Sequence, residues 1–186
     1  MQTISAINVA QAVLMDPLRK AKYIVDATAG NGNDTLFLAQ RSGQDAAIYA
    51  FDIQQEAIRA TEMKTIAFKD KIQYILDSHI NLDKYIPSEI DIAIFNLGYL
   101  PGGNHEITTM PETTLESIEK AVLKLSINGL IVIIAYPGHE AGNEEFFCID
   151  DYLKNLPMKK FTVGLYRMIN HSNKSPVLYI VEKVRI

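Results

Sequence analysis

Short apolar runs alternate with amphipathic stretches of helix length along most of the chain. The runs at 22–27 (KYIVDA), 46–52 (AAIYAFD), 72–76, 90–96 and 130–136 (LIVIIAY) carry apolar residues on both faces. That pattern predicts strands of a parallel sheet covered on both sides. The stretches between them predict helices over 34–41, 55–68, 111–128 and 143–155, after a leading helix over 7–20. Two last runs, 161–168 and 176–184, are separated only by the polar turn NHSNKS at 170–175 and predict an antiparallel hairpin. The expected fold is therefore α/β: one domain over 1–186, a mostly parallel seven-stranded sheet closed by a C-terminal antiparallel hairpin, with helices on both faces. No repeat, low-complexity tract or linker divides the chain.

Composition narrows the setting. Apolar residues are 48% and charged residues 22% of the chain, which is a folding composition. A single cysteine, Cys148, allows no internal disulfide and fits a reducing compartment. There is no signal-peptide pattern, and the longest apolar run, 130–136, is too short to span a bilayer. The expectation is a cytoplasmic protein with no membrane partner. Net charge is −4, which disfavours strong non-specific nucleic-acid binding. Residues 151–186, however, carry seven basic and two acidic side chains, a net +5 beside a body of −9, and suggest a basic edge for an anionic partner.

Candidate chemistry collects at the ends of the predicted strands. DATAGNGND, 26–34, follows the first strand and opens a helix, the context of a nucleotide-type loop. Gly30 and Gly32 permit positive φ and close backbone approach. Asn31 and Asn33 put amides where a pyrophosphate would want bare N–H groups, so a zwitterionic amino-acid ligand fits better; a plain strand-to-helix turn is the competing reading. Asp52 ends the second strand, 22 residues after Gly30, where a carboxylate can accept ribose hydroxyls, and Gln54 follows it. The competing role for Asp52 is a helix cap. Ser78 and His79 follow the third strand, in position to border a base.

After the fourth strand comes FNLGYLPGG, 95–103. Asn96 supplies an amide oxygen, the carbonyls of Leu97 and Gly98 are further acceptors, and Tyr99 supplies a ring. Fixed acceptors orient the lone pair of an amine toward an electrophile, and an aromatic face favours a nearby cation. The Pro-Gly-Gly portion reads as a turn. His105, in the loop that follows, and His139, after the fifth strand, are candidate bases or phosphate contacts. No metal-ligand spacing and no serine nucleophile elbow is present.

Taken in order, DATAGNGNDT, FDIQ, DSH, NLGYLPGG and the closing hairpin resemble a class I S-adenosylmethionine (SAM)-dependent methyltransferase with its Rossmann-like sheet. More narrowly they resemble the small bacterial rRNA-methylase-like proteins, a family that includes the tRNA methyltransferase converting 5-aminomethyl-2-thiouridine at the wobble position to its 5-methylaminomethyl form. The resemblance implies SAM as cofactor, held by Asp26, Gly30, Asn31, Gly32, Asn33, Asp52, Gln54, Ser78, His79 and Asn96. It implies Asn96, Tyr99 and His139 as catalytic candidates, no metal, and a tRNA anticodon stem-loop as partner, with a homodimer compatible with an apolar face on the last hairpin. Asn96 to Tyr99 stands where amine methyltransferases carry an Asn-Pro-Pro-Tyr type motif, with Leu97 and Gly98 replacing the prolines. Competing readings are a methyltransferase for rRNA or a small molecule, a dinucleotide-dependent oxidoreductase, and a non-catalytic binding module.

Overall fold

In a computed structural model of the chain, which describes residues 4–98, 109–138, 140–172 and 174–185, all seven expected strands form one sheet. The strands are β1 (Tyr23–Asp26), β2 (Ala47–Asp52), β3 (Ile72–Leu76), β4 (Ile90–Asn96), β5 (Leu125–Ala135), β6 (Phe161–Tyr166) and β7 (Val177–Lys183). Their order is β3-β2-β1-β4-β5-β7-β6; the first five are parallel, and β7 is antiparallel to both β5 and β6. The helices are α1 (Ala6–Leu14), α2 (Asn33–Arg41), α3 (Gln55–Lys64), α4 (Leu82–Tyr85), α5 (Pro111–Lys124) and α6 (Glu140–Lys154).

Strand alternation divides the core in two. Val25, Phe51, Phe95, Ile131 and Ile133 face one way, onto Ile118, Ala121 and Val122 of α5 and Ile149 and Leu153 of α6. Ile24, Ile48, Ile92, Ile94 and Val132 face the other way, onto Ala10 and Leu14 of α1 and Leu38 of α2. Period-two alternation in which both faces are apolar needs a cover on each side, and the helices supply it.

Three helices end four or more residues earlier than the sequence expectation. The leading helix stops at Leu14, because Pro17 lacks the N–H an α-helix interior needs and instead opens a short 3-10 turn, Pro17–Arg19. The helix after β2 ends at Lys64 and tightens into 3-10 geometry over Ile66–Lys71. The helix expected to 128 ends at Lys124: Leu125 already pairs with Ile90, and Ile92 pairs next with Leu130, so 126–129 form an irregularity in which Asn128 takes φ 62°. Asn tolerates that left-handed region better than most residues.

The chain winds outward from β1 to β3 and then returns to β4 on the other side of β1. Beyond the carboxyl ends of β1 and β4 lies the switch point at which open α/β sheets bind their ligands.

Candidate active site

Asp26, the last residue of β1, is fully buried and accepts hydrogen bonds from Thr28 N (3.1 Å) and Thr35 Oγ1. Burial first, and then the neighbouring Asp34, push its carboxyl up to about 7 against the pull of those two donors. Asp34 stands in the first turn of α2 and is 7% exposed; burial raises it too, partly offset by hydrogen bonds from Asn96 and Gln11. Asp52, at the end of β2, is raised by burial although its Oδ1 accepts from Gln54 N and its Oδ2 from Gly30 N, both at 2.9 Å. No cationic side chain contributes to any of these three shifts. The crevice thus holds carboxylates whose surroundings, among the described residues, supply no counter-cation.

The glycine loop is set against α3. Gly30 (φ 52°) and Gly32 (φ 73°) both take the left-handed conformation. Thr61 Oγ1 donates to Gly30 O at 3.1 Å, and a Cβ on Gly32 would lie 2.8 Å from Thr61 Cα, so the backbones of loop and helix touch where only glycine fits. Asp52 and Thr61 together hold Gly30 at both its N–H and its carbonyl.

Asn96 ends β4 and is fastened on three sides. Its N–H donates to Thr28 Oγ1 (2.8 Å), its Nδ2 donates to Asp34 Oδ2 (2.9 Å), and its Oδ1 accepts from Tyr136 OH (3.0 Å). Burial and the nearby Asp34 push the Tyr136 hydroxyl up to about 12, so it stays protonated and donates. The amide is thereby oriented, with one lone pair of Oδ1 still open among the described residues. Register explains the Tyr136 contact: Asn96 pairs with Ile134 across β4 and β5, and Tyr136 follows two residues later, just past the end of β5.

His79 is tethered at its Nδ1 to Ala27 O (3.1 Å). A carbonyl only accepts, so Nδ1 carries the proton, and burial lowers the ring's pKa and keeps it neutral. Nε2 is then a buried acceptor without a partner among the described residues. Such an atom calls for a donor, and it sits beside the end of β1, edge-on to Phe95.

Of the residues expected from sequence, Asp26, Gly30, Gly32, Asp52, Gln54, His79 and Asn96 converge at this edge of the sheet. Three others, Asn31, Asn33 and Ser78, have local roles of their own. The Asn33 amide oxygen accepts from Lys64 Nζ (2.6 Å), so this side chain serves the contact with α3, and Asn31 and Asn33 line a shallow outer depression of about 550 Å³ with Ala60, Met63 and Lys64. Ser78 caps the 3-10 turn His79–Asn81 through a long bond, 3.4 Å, from Ile80 N. The expected acceptors of the loop are also partly engaged: Gly98 O accepts from Thr109 N (3.2 Å), and Gly98 N donates to Thr109 Oγ1 (2.9 Å), which in turn donates to the buried Glu145 (3.1 Å). This pairing explains φ 107° at Gly98. Tyr99, His105 and His139 lie outside the described residues.

Thr28, Asp34, Thr35, Thr109, Tyr136 and Glu145 are the members of the site that sequence reading did not single out. Asp34 and Thr35 directly follow the glycine motif, which was the one local signal available. The basic edge expected over 151–186 is divided by hairpin register: Lys160 and Lys183 lie at the sheet's far end, where Phe161 pairs with Lys183 and Lys183 Nζ reaches Leu125 O. Arg167 and Lys174 fall in the β6–β7 connection, at the end that carries the crevice.

Comparisons with known proteins agree with this geometry. Residues 48–182 match the model of a family described as "Putative rRNA methylase". The tRNA (mnm(5)s(2)U34)-methyltransferase, chloroplastic, of Arabidopsis thaliana is 33% identical over 190 residues, spanning 96% of this chain and 69% of that protein. A crystal structure of a "putative rRNA-methylase" from Clostridium thermocellum superposes with a TM-score of 0.94 at 37% identity, covering 98% of this chain and all of the other. A "putative methyltransferase" from Streptococcus mutans, crystallised in complex with SAH, gives a TM-score of 0.86 at 37% identity over 96% of this chain and 97% of its own. Among the described residues no helix is long and apolar enough to cross a membrane, and no group of three or more His, Cys, Asp or Glu side chains is arranged to hold a metal ion.

Proposed function

From the chain's membership of the rRNA methylase family, and from its being a SAM-dependent methyltransferase, we propose that it N-methylates the 5-aminomethyl group of 5-aminomethyl-2-thiouridine at the tRNA wobble position. The observation that carries the choice of an amine acceptor is the clamped amide of Asn96, whose oxygen is held by Tyr136 and whose nitrogen is held by Asp34. The choice of tRNA rests on the Arabidopsis relative, which carries that activity in its name.

The crevice fits SAM. When bound, SAM supplies a methyl group made electrophilic by a positively charged sulfur. Asp52 has lone pairs left to accept ribose hydroxyls after its two backbone bonds. The bare backbone of Gly30 and Gly32 admits close approach of the amino-acid portion, with Asn31 and Asn33 flanking it. Gln54, Ser78 and the unpartnered Nε2 of His79 border the base side. Asp26, Asp34 and Asp52 surround a cation-deficient space that suits a positively charged ligand.

Asn96 Oδ1 accepts an N–H of the substrate amine with its open lone pair and so directs the nitrogen's own lone pair across the crevice. An alkyl ammonium has no lone pair to give, so the amine must enter neutral or lose one proton. Burial beside Leu97 and Tyr136 favours the neutral form, and the proton released after transfer leaves to solvent. Tyr99 is proposed as an aromatic wall for the base, and His139 as a proton acceptor. A wobble base lies in a single-stranded loop and can be splayed into a pocket without breaking a pair.

The carboxylate cluster gives a pH signature. A cation beside Asp26 favours its ionised form, so binding SAM below about pH 7 must expel a proton. SAM affinity is expected to rise with pH up to about 7 and then level, losing up to roughly tenfold per unit below it. SAH, without the sulfonium charge, should show a shallower slope. Calorimetry in buffers of different protonation enthalpy checks this, and equal slopes for the two ligands would argue against the sulfonium at the cluster, since both ligands carry the α-ammonium group. For the substrate, labelled methyl offered to purified tRNA and rRNA together should enter tRNA; label confined to rRNA would favour the alternative reading.

A further inference from the structure

A second cleft opens at the same end of the sheet, beyond β5 and β7. Asn96, Ile134, Leu178 and Tyr166 form one row across β4, β5, β7 and β6. Just past that row, Pro137, the first turns of α6 and the β6–β7 connection enclose about 430 Å³. With adjacent strands about 4.8 Å apart, β7 lies roughly 10 Å from Asn96. The cleft is therefore a neighbour of the crevice and separate from it.

Its lining combines two chemistries. Phe147 is 59% exposed, and it is the one aromatic side chain among the described residues that stands open to solvent. It is held edge-on by Phe146, with ring centroids 5.4 Å apart, and Phe146 in turn packs on Tyr179. A large aromatic exposed on a rigid helix loses little entropy when a ring stacks on it. Arg167 and His171 line it as well, with Ser172 and Ser175, and among the described residues no carboxylate lines the cleft. In a chain of net charge −4 this is a local inversion of sign. Aromatic face, guanidinium and hydroxyls together are the elements with which proteins hold single-stranded nucleic acid.

We propose that this cleft is a second nucleobase site, which takes the unpaired nucleotide next to the one methylated, its base against Phe147 and its phosphate at Arg167. The inference rests on the reading of the substrate as a tRNA anticodon loop, and adds to it the surface that engages the flanking nucleotide. The positive charge of Arg167 favours RNA over a second copy of the chain, since a polyanion supplies it a counter-charge and this lining, repeated on a second copy, offers none among the described residues.

The test uses the full-length protein with SAH and a labelled anticodon stem-loop RNA, read by fluorescence anisotropy. Phe147→Ala and Arg167→Ala are each expected to weaken binding about tenfold, while Phe147→Trp, which keeps a stacking face, retains wild-type affinity. Both residues are exposed, so neither truncation removes core packing. Unchanged affinity in both alanine variants would overturn the proposal, as would failure of the wild-type protein to bind the stem-loop. A dimer that dissociates in Phe147→Ala with RNA affinity intact would overturn it as well, by assigning the face to self-association. Methylation of the same stem-loop by the wild-type protein reports separately on the substrate reading, so the two can fail independently.

Discussion

Replacing Asn96 by alanine is expected to lower kcat for methyl transfer by about a hundredfold, the usual consequence of losing a fixed orienting group. Among the described residues, the amide is the only side chain of the crevice tied both to a buried acid and to a half-buried phenol, through Asp34 at 2.9 Å and Tyr136 at 3.0 Å. Truncation removes the acceptor for the amine and leaves Asp34, already raised by burial, without one of the donors that offset it. The affinity for SAM should change much less than kcat, because Gly30, Asp52 and Thr61 keep their mutual bonds. Tyr136→Phe should give a milder loss, about tenfold, since it frees one side of the same amide. Steady-state kinetics with a separate SAM titration check the split, and a kcat within twofold of wild type in Asn96→Ala would show that the amine is oriented by something else.

The second large effect is expected at Gly32. A Cβ there would lie 2.8 Å from the Thr61 backbone, and φ 73° is a conformation that costs an L-residue about 1–2 kcal/mol before any clash. Because the neighbouring atom is main chain, either the loop or α3 must shift. Gly32→Ala is expected to destabilise the protein by roughly 2–4 kcal/mol, lowering Tm by about 5–12 °C for a chain of this size. It should also weaken SAM binding, since the shift would pull Gly30 from Asp52. Gly43→Ala is the control: its Cβ would meet only Arg19 O, at 3.6 Å, an ordinary contact, and Tm should stay within about 2 °C of wild type. Thermal denaturation of the two variants side by side makes the comparison.

The strands were legible because a run such as AAIYAFD, apolar on both faces, has few alternatives to a buried parallel strand, and β2 indeed divides Tyr49 and Phe51 from Ile48 and Ala50 between the two cores. Asp26, Asp52, Gly30 and Gly32 were legible because their chemistry is local: a turn, two glycines, and carboxylates ending adjacent strands. Tyr136 was not, since its meeting with Asn96 depends on the register of β4 against β5, which lie 40 residues apart at that contact. Glu145 and Thr109 were hidden for the same reason, being joined only when α6 closes over the sheet. Asn33 and the basic C-terminal segment carry the opposite lesson. The Asn33 amide of the glycine motif is also tied to Lys64, and a net charge of +5 over 151–186 was split between two ends of a hairpin. Sequence position reports which residues are near each other along the chain; the direction in which each side chain is used is decided by packing partners far away in sequence.

The most direct measurement combines purified protein, SAM and tRNA taken from cells whose wobble uridine stops at the 5-aminomethyl-2-thiouridine stage, with the product tRNA digested and its nucleosides weighed by mass spectrometry. The 5-aminomethyl-2-thiouridine signal is expected to fall as 5-methylaminomethyl-2-thiouridine rises in equal amount. An unchanged 5-aminomethyl-2-thiouridine signal, from protein that binds SAM normally, would contradict it.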